Sequence, residues 1–157
     1  MPKNFYLCIV KKTIFFNNTP AVNLTQQALS AWVYECVEER GGKIKRLVIN
    51  FITEDEMLNL NQKYLKHDTH TDILTFCYND QSRIESEIFI CFARARENAK
   101  AHSETIENEI LRLISHGLLH NFGLNDSTKA LRETMTKEEN SLMRMFHVKH
   151  TSSEKAL

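Results

Sequence analysis

The sequence predicts a single α+β domain, with one mixed β-sheet of about four strands packed with about five helices. Three observations predict it. Runs rich in β-branched and aromatic residues fall at residues 5–16, 47–52, 73–78 and 84–92, as strands do. Stretches with apolar residues at helical spacing lie between and after these runs. The composition suits one compact core: 157 residues, 42% hydrophobic and 25% charged, with only four Gly and two Pro. A chain of this length buries roughly 70% of its unfolded surface on folding, enough to hold together without disulfides.

Taken in order, residues 5–16 read as one or two strands, interrupted by Lys11-Lys12, and residues 17–20 as a loop. From Asn23 a helix follows, with Leu24, Ala28, Trp32, Val33, Cys36 and Val37 on one side and Gly41-Gly42 as its stop. Residues 47–52 read as a buried strand. Thr53 and Glu56 then form a capping box for a helix reaching about Tyr64. Residues 66–70 are polar and loop-like. The runs 73–78 and 84–92 pair as a hairpin across a turn, with Ile84, Ile88, Ile90 and Phe92 on one face. Residues 94–101 are helical in composition, and Ser103 is placed to cap the next helix, 104–120. A last helix starts near Thr136, with Glu139 as its capping partner, and residues past 150 form a polar, fraying tail.

Composition also excludes some functions. Twenty basic and twenty acidic residues cancel, so any nucleic-acid partner must be held by a local patch rather than by overall charge. The longest apolar runs are far below the ~20 residues that span a bilayer. No secretory pattern opens the sequence, and Cys8, Cys36, Cys77 and Cys91 form no closely spaced pair. The expectation is a cytoplasmic protein with reduced thiols and no membrane partner.

The chemistry sits in residues 115–126, Ser-His-Gly-Leu-Leu-His-Asn-Phe-Gly-Leu-Asn-Asp. Four residues apart on a helix, His116 and His120 project side by side and can take adjacent corners of a metal tetrahedron. Ile106, Ile110, Ile114 and Leu118 form the apolar stripe beside them. Gly123 stands where a left-handed residue ends a helix, and the chain can turn back there to bring Asp126 in as third ligand. The spacing follows the extended zincin pattern, with Asp replacing the third His and Gly117 replacing the Glu that serves peptidases as general base. Zinc is the expected ion, one per chain; Fe(II) in a two-His-one-carboxylate triad is the alternative. The catalytic group is then a metal-bound water, or, for an RNA substrate, its neighbouring 2′-OH with the metal stabilising the charged transition state. Asp72, Lys66 and Glu109 are further candidates, Glu109 either as orienter of a ligand or as a solvated surface carboxylate.

Two stretches together resemble the YbeY family of bacterial rRNA-maturation metalloendoribonucleases. The matching segments are Leu60-Asn61, Thr71-Asp72-Ile73-Leu74-Thr75-Phe76, Glu87-Ile88-Phe89-Ile90, Arg96-Glu97-Asn98-Ala99 and His116-Gly117-Leu118-Leu119-His120 through Gly123 to Asp126. The resemblance implies a zinc-dependent endoribonuclease selective for single strands. It would act at the 3′ end of small-subunit rRNA and in ribosome quality control, with RNA and ribosomal or small-subunit proteins as partners. It assigns the metal to His116, His120 and, by position, Asp126, where most members carry His. The chain also departs from the family at Leu65, where an RNA-engaging Arg is usual, at Ser86-Glu87 in place of Gly-Asp, and at Ala93 in place of a frequent Asp. Lys66 beside Leu65 would offer a point charge without a bidentate fork. Two other readings stand beside this one. One is a zinc metallopeptidase or other zinc hydrolase, against which Gly117 argues; the other is a non-catalytic ribosome-associated module with a structural metal.

Overall fold

The structure, a computed structural model, describes residues 11–65, 71–79 and 83–155. Within them the order is β1 (Ile14–Asn17), α1 (Gln26–Glu39), β2 (Lys43–Ile52), α2 (Glu54–Leu60) continued by a π-helical turn (Asn61–Leu65), β3 (Ile73–Cys77), β4 (Arg83–Cys91), α3 (Phe92–Ala101), α4 (Ile106–Asn121) and α5 (Lys129–Lys155). The strands form one mixed sheet in the order β1-β2-β4-β3. β1, β2 and β4 run parallel, and β3 closes one edge antiparallel to β4, as the hairpin reading requires. The α+β class and its mixed sheet are as the sequence predicts.

Register decides which side chains meet. Leu47, Ile49 and Phe51 of β2 stand opposite Ser86, Ile88 and Ile90 of β4, and this face packs into the core with Leu29, Trp32 and Val33 of α1 and Ile110, Ile114 and Leu118 of α4. Because side chains alternate along a strand, Val48, Asn50, Glu87 and Phe89 point to the other face. α2 carries the predicted capping box, with Glu56 N–H donating to Thr53 Oγ1 at 3.2 Å and Thr53 N–H to Glu56 Oε2 at 2.8 Å.

Helix starts differ from the sequence reading: α1 begins at Gln26 rather than Asn23 and α3 at Phe92 rather than residue 94. Thr105, not Ser103, caps α4, its hydroxyl accepting from Asn108 N–H at 3.1 Å; Ser103 takes a positive φ of 54° in the turn between α3 and α4. α5 begins at Lys129, seven residues before the expected start, and Leu131 N–H donates to Thr128 Oγ1. The early turns are polar, so apolar periodicity does not show them, yet Met135 within them is buried. α5 is fastened to α1 by the Arg40–Glu138 ion pair and by the Trp32 indole N–H, which donates to the Leu142 carbonyl at 2.8 Å. Cys36 is buried in the same seam, and desolvation, with Glu39 and Glu35 nearby, pushes its thiol up to about 12. Among the described residues no helix is long and apolar enough to cross a membrane.

Candidate metal centre

α4 packs against β3, and the seam between them holds the candidate site. Its fit depends on Gly117. A Cβ built there would lie 2.7 Å from Ile88 Cδ1 and 3.1 Å from Thr75 Oγ1. The missing side chain lets α4 settle directly onto the sheet, one turn below His120. Asn121 locks this approach by donating to Ser86 Oγ at 3.1 Å and to the Gly117 carbonyl at 2.8 Å, while Ser86 Oγ donates to the Phe76 carbonyl.

His116 and His120 leave the helix on its exposed flank, with ring centroids 4.5 Å apart and planes nearly perpendicular. The helix ends at Gly123, whose φ of 87° is the left-handed conformation the spacing predicts; Gly123 N–H donates to the His120 carbonyl and Leu124 N–H to that of Leu119. The chain folds back and presents Asp126. One ligand atom from each of His116, His120 and Asp126 lies within 4.8 Å of the other two.

The protonation pattern tests whether a metal belongs there. His116 Nδ1 lies 2.7 Å from Glu139 Oε1, and His120 Nδ1 lies 2.9 Å from the Leu124 carbonyl. Both oxygens accept, so both Nδ1 atoms donate. Each Nε2 is left with a lone pair, and the two Nε2 atoms face one another at 2.8 Å. Opposed lone pairs repel unless a cation sits between them, either a proton on one ring or a metal ion. Asp126 Oδ2 stands 3.4 Å from one and 4.0 Å from the other. Ligands ~2.0–2.1 Å from a tetrahedral zinc are separated by ~3.3 Å, and the three distances bracket that value. The donor set fits a divalent metal. Burial pulls the His116 imidazole down, but the Glu139 hydrogen bond and charge, with Asp126 and Asp72, outweigh it and hold the group above its ordinary value.

Glu139 is the residue that sequence reasoning missed. It lies on α5, is buried, and orients His116 from behind, the usual arrangement of a carboxylate on a metal-ligating histidine. Glu109 faces the cavity that His116, Asp72 and Glu139 also line. It is 1% exposed rather than solvated, and its carboxylate pairs with Arg112. Desolvation pushes that carboxyl up, with Arg112 opposing. Asp72 accepts from Asn98 Nδ2 at 2.9 Å and lines, with His116, Glu139 and Arg112, a cavity of about 220 Å³ on one side of the histidines. A second cavity, about 390 Å³, opens on the other side between the histidines and Ile73, Leu74, Thr75 and Cys77 of β3. Lys66 lies outside the described residues.

The chain is similar to known proteins over most of its length. The chain is 32% identical over 124 residues to the endoribonuclease YbeY of Phocaeicola vulgatus, covering 79% of this chain and 90% of that one. It is 35% identical over 121 residues to that of Parabacteroides distasonis, covering 77% and 84%. The solution structure of TM1509 from Thermotoga maritima shares the fold, with a TM-score of 0.67 and 24% identity over 90% of this chain and 93% of that one. The family model described as endoribonuclease YbeY matches residues 14–147. That span holds the whole sheet, the histidine helix, Asp126 and Glu139, and the chain belongs to the endoribonuclease YbeY family.

Proposed function

We propose that the protein is a zinc-dependent endoribonuclease that cuts single-stranded stretches of rRNA, acting at the 3′ end of the small-subunit rRNA and in ribosome quality control. The observation that carries the reading is the pair of imidazole lone pairs and one carboxylate converging at a cleft mouth. Zinc held by His116, His120 and Asp126 would polarise a phosphodiester oxygen and lower the pKa of water. The chain's own residues supply the rest. Glu139 and the Leu124 carbonyl hold the Nδ1 protons, so neither ring can swing its Nε2 away. Asp72, fixed by Asn98 in the adjoining cavity, is the carboxylate we assign to accept the proton of the attacking hydroxyl. Gly117 leaves no carboxylate at the position peptidases use, and the space there is filled by Ile88 and Thr75, which disfavours peptide hydrolysis. Ribosomal small-subunit proteins are the partners this reading calls for.

Purified protein is expected to carry one zinc per chain, to cut single-stranded RNA in preference to duplex, and to lose the activity on chelation and regain it with added zinc. Casein cleavage by the same preparation would support the peptidase reading instead. Stoichiometric zinc with neither activity, alone or with small subunits added, would support a structural metal.

A further inference from the structure

β3 is one end of the sheet, and its register shows which of its main-chain groups the sheet consumes. Tyr78 N–H donates to the Glu85 carbonyl at 2.7 Å, and Cys91 N–H to the Asp72 carbonyl at 2.9 Å. Both pairs continue the one antiparallel register that joins β3 to β4, and along such a ladder only every second residue exchanges hydrogen bonds with the neighbouring strand. Asp72, Leu74, Phe76 and Tyr78 therefore turn their N–H and C=O groups to β4. Ile73, Thr75 and Cys77 turn theirs outward, to the free edge. The Ile73 carbonyl accepts from the Thr71 hydroxyl at 3.2 Å. Among the described residues nothing hydrogen-bonds the outward main chain of Thr75 or Cys77.

This edge opens on the candidate metal centre. Ile73, Leu74, Thr75 and Cys77 line the cavity beside His116 and His120. Side chains alternate along a strand, so Leu74 shares the far face with Phe76 and meets the cavity through its main chain. Edge strands are commonly shielded by lysine, proline or a bulge. β1, at the other end of the sheet, follows Lys11-Lys12. β3 reads Ile-Leu-Thr-Phe-Cys in unbroken register, with no charge, proline or bulge. The unguarded edge is the one beside the histidines.

We propose that the outward main chain of Thr75 and Cys77 grips the ribose-phosphate backbone of an RNA strand in the metal cleft, the two N–H groups donating to phosphate oxygens and the two carbonyls accepting from ribose 2′-hydroxyls. The proposal rests on the endoribonuclease reading and names how that site takes RNA in preference to DNA. Main-chain N–H groups are phosphate donors, and the 2′-hydroxyl is the sugar donor that deoxyribose lacks. Thr75 and Cys77 stand two residues apart, about 6.7 Å along the strand, so their contacts fall on neighbouring nucleotides. β3 brings no charged side chain to the cavity, so its grip reads the backbone and not the base sequence. An extended polypeptide also suits a sheet edge, but Gly117 leaves no carboxylate there to cut it.

The test uses the zinc-loaded full chain and three single-stranded octanucleotides of one sequence, made of RNA, of 2′-fluoro-RNA and of DNA. The fluorinated strand keeps the sugar shape and the phosphates of RNA but has no 2′ donor. By stopped-flow fluorescence anisotropy, before cutting proceeds, RNA is expected to bind about tenfold more tightly than either of the others. Amide hydrogen exchange read by NMR locates the contact. The bound 2′-fluoro strand is expected to slow exchange at Thr75 and Cys77 about tenfold and to leave Phe76, already held in the ladder, unchanged. RNA that does not bind, or binds no better than the fluorinated strand, overturns the proposal. So do Thr75 and Cys77 amides that exchange as fast with the strand bound as without it. Neither measurement needs turnover, so an RNA preference with slowed amides supports the grip even if no RNA is cut, which separates it from the nuclease reading. A capped pentapeptide of alternating Val and Thr that slows these amides where the nucleic acids do not overturns the proposal and gives the edge to a polypeptide.

Discussion

His116→Ala is expected to abolish zinc retention and to lower RNA cleavage by at least about 1000-fold, ~4 kcal/mol of transition-state stabilisation. Two losses combine in this variant. One Nε2 ligand disappears, and the Glu139 carboxylate, buried and hydrogen-bonded to that ring, is left without its donor. Glu139→Gln gives the graded version. Its amide oxygen still accepts the Nδ1 proton, so the ring keeps its aim, but the negative charge that raises imidazole basicity is gone. Zinc affinity, measured by competition with a chromophoric chelator, is expected to fall by about 10–100-fold. Protons compete for the same Nε2. With the His116 imidazole held above its ordinary value, zinc affinity is full above that raised pKa and declines as pH falls through it. Wild-type zinc content in His116→Ala would refute the assignment.

The second large effect is on stability. Gly117→Ala forces a Cβ against Ile88, which is fully buried and has nowhere to go. Overpacking costs about 1–3 kcal/mol, of which helix propensity returns up to about 1 kcal/mol. A fall in melting temperature of a few degrees follows, at about 2–4 °C per kcal/mol for a chain this size. Gly117→Glu, which would restore the peptidase sequence pattern, is expected not to fold at all, because it buries a carboxylate between helix and sheet without a partner. Circular dichroism and thermal melting decide. A stable, folded Gly117→Glu protein would show that α4 does not rest on the sheet as described.

The candidate metal ligands were legible because their relationship is local. Two histidines one turn apart, a helix-ending glycine and a carboxylate three residues on are fixed by helix geometry and a single left-handed residue. The hairpin, the α2 capping box and the α+β class rest on similarly short-range rules. Glu139 was not legible as a site residue, since it lies 23 positions beyond its histidine. Its Thr-x-x-Glu context also imitates a capping box, which disguised both its role and the true start of α5. Glu109 shows the converse. Helical phase alone leaves a flank carboxylate open to solvent, whereas Glu109 is buried and paired with Arg112. The meaning of Gly117 was half visible: the absent side chain announces the missing base, but only the packing of Ile88 and Thr75 explains why none can be there.

The path from the metal centre into the body of the protein is short. Glu139 and Leu142 lie one turn apart on α5; the first holds His116 and the second accepts the indole proton of Trp32, the chain's sole tryptophan. With a metal ion held by His116, any shift of α5 on its withdrawal would be delivered to that indole. Metal loading is then expected to read out as a change in intrinsic emission, without label or substrate.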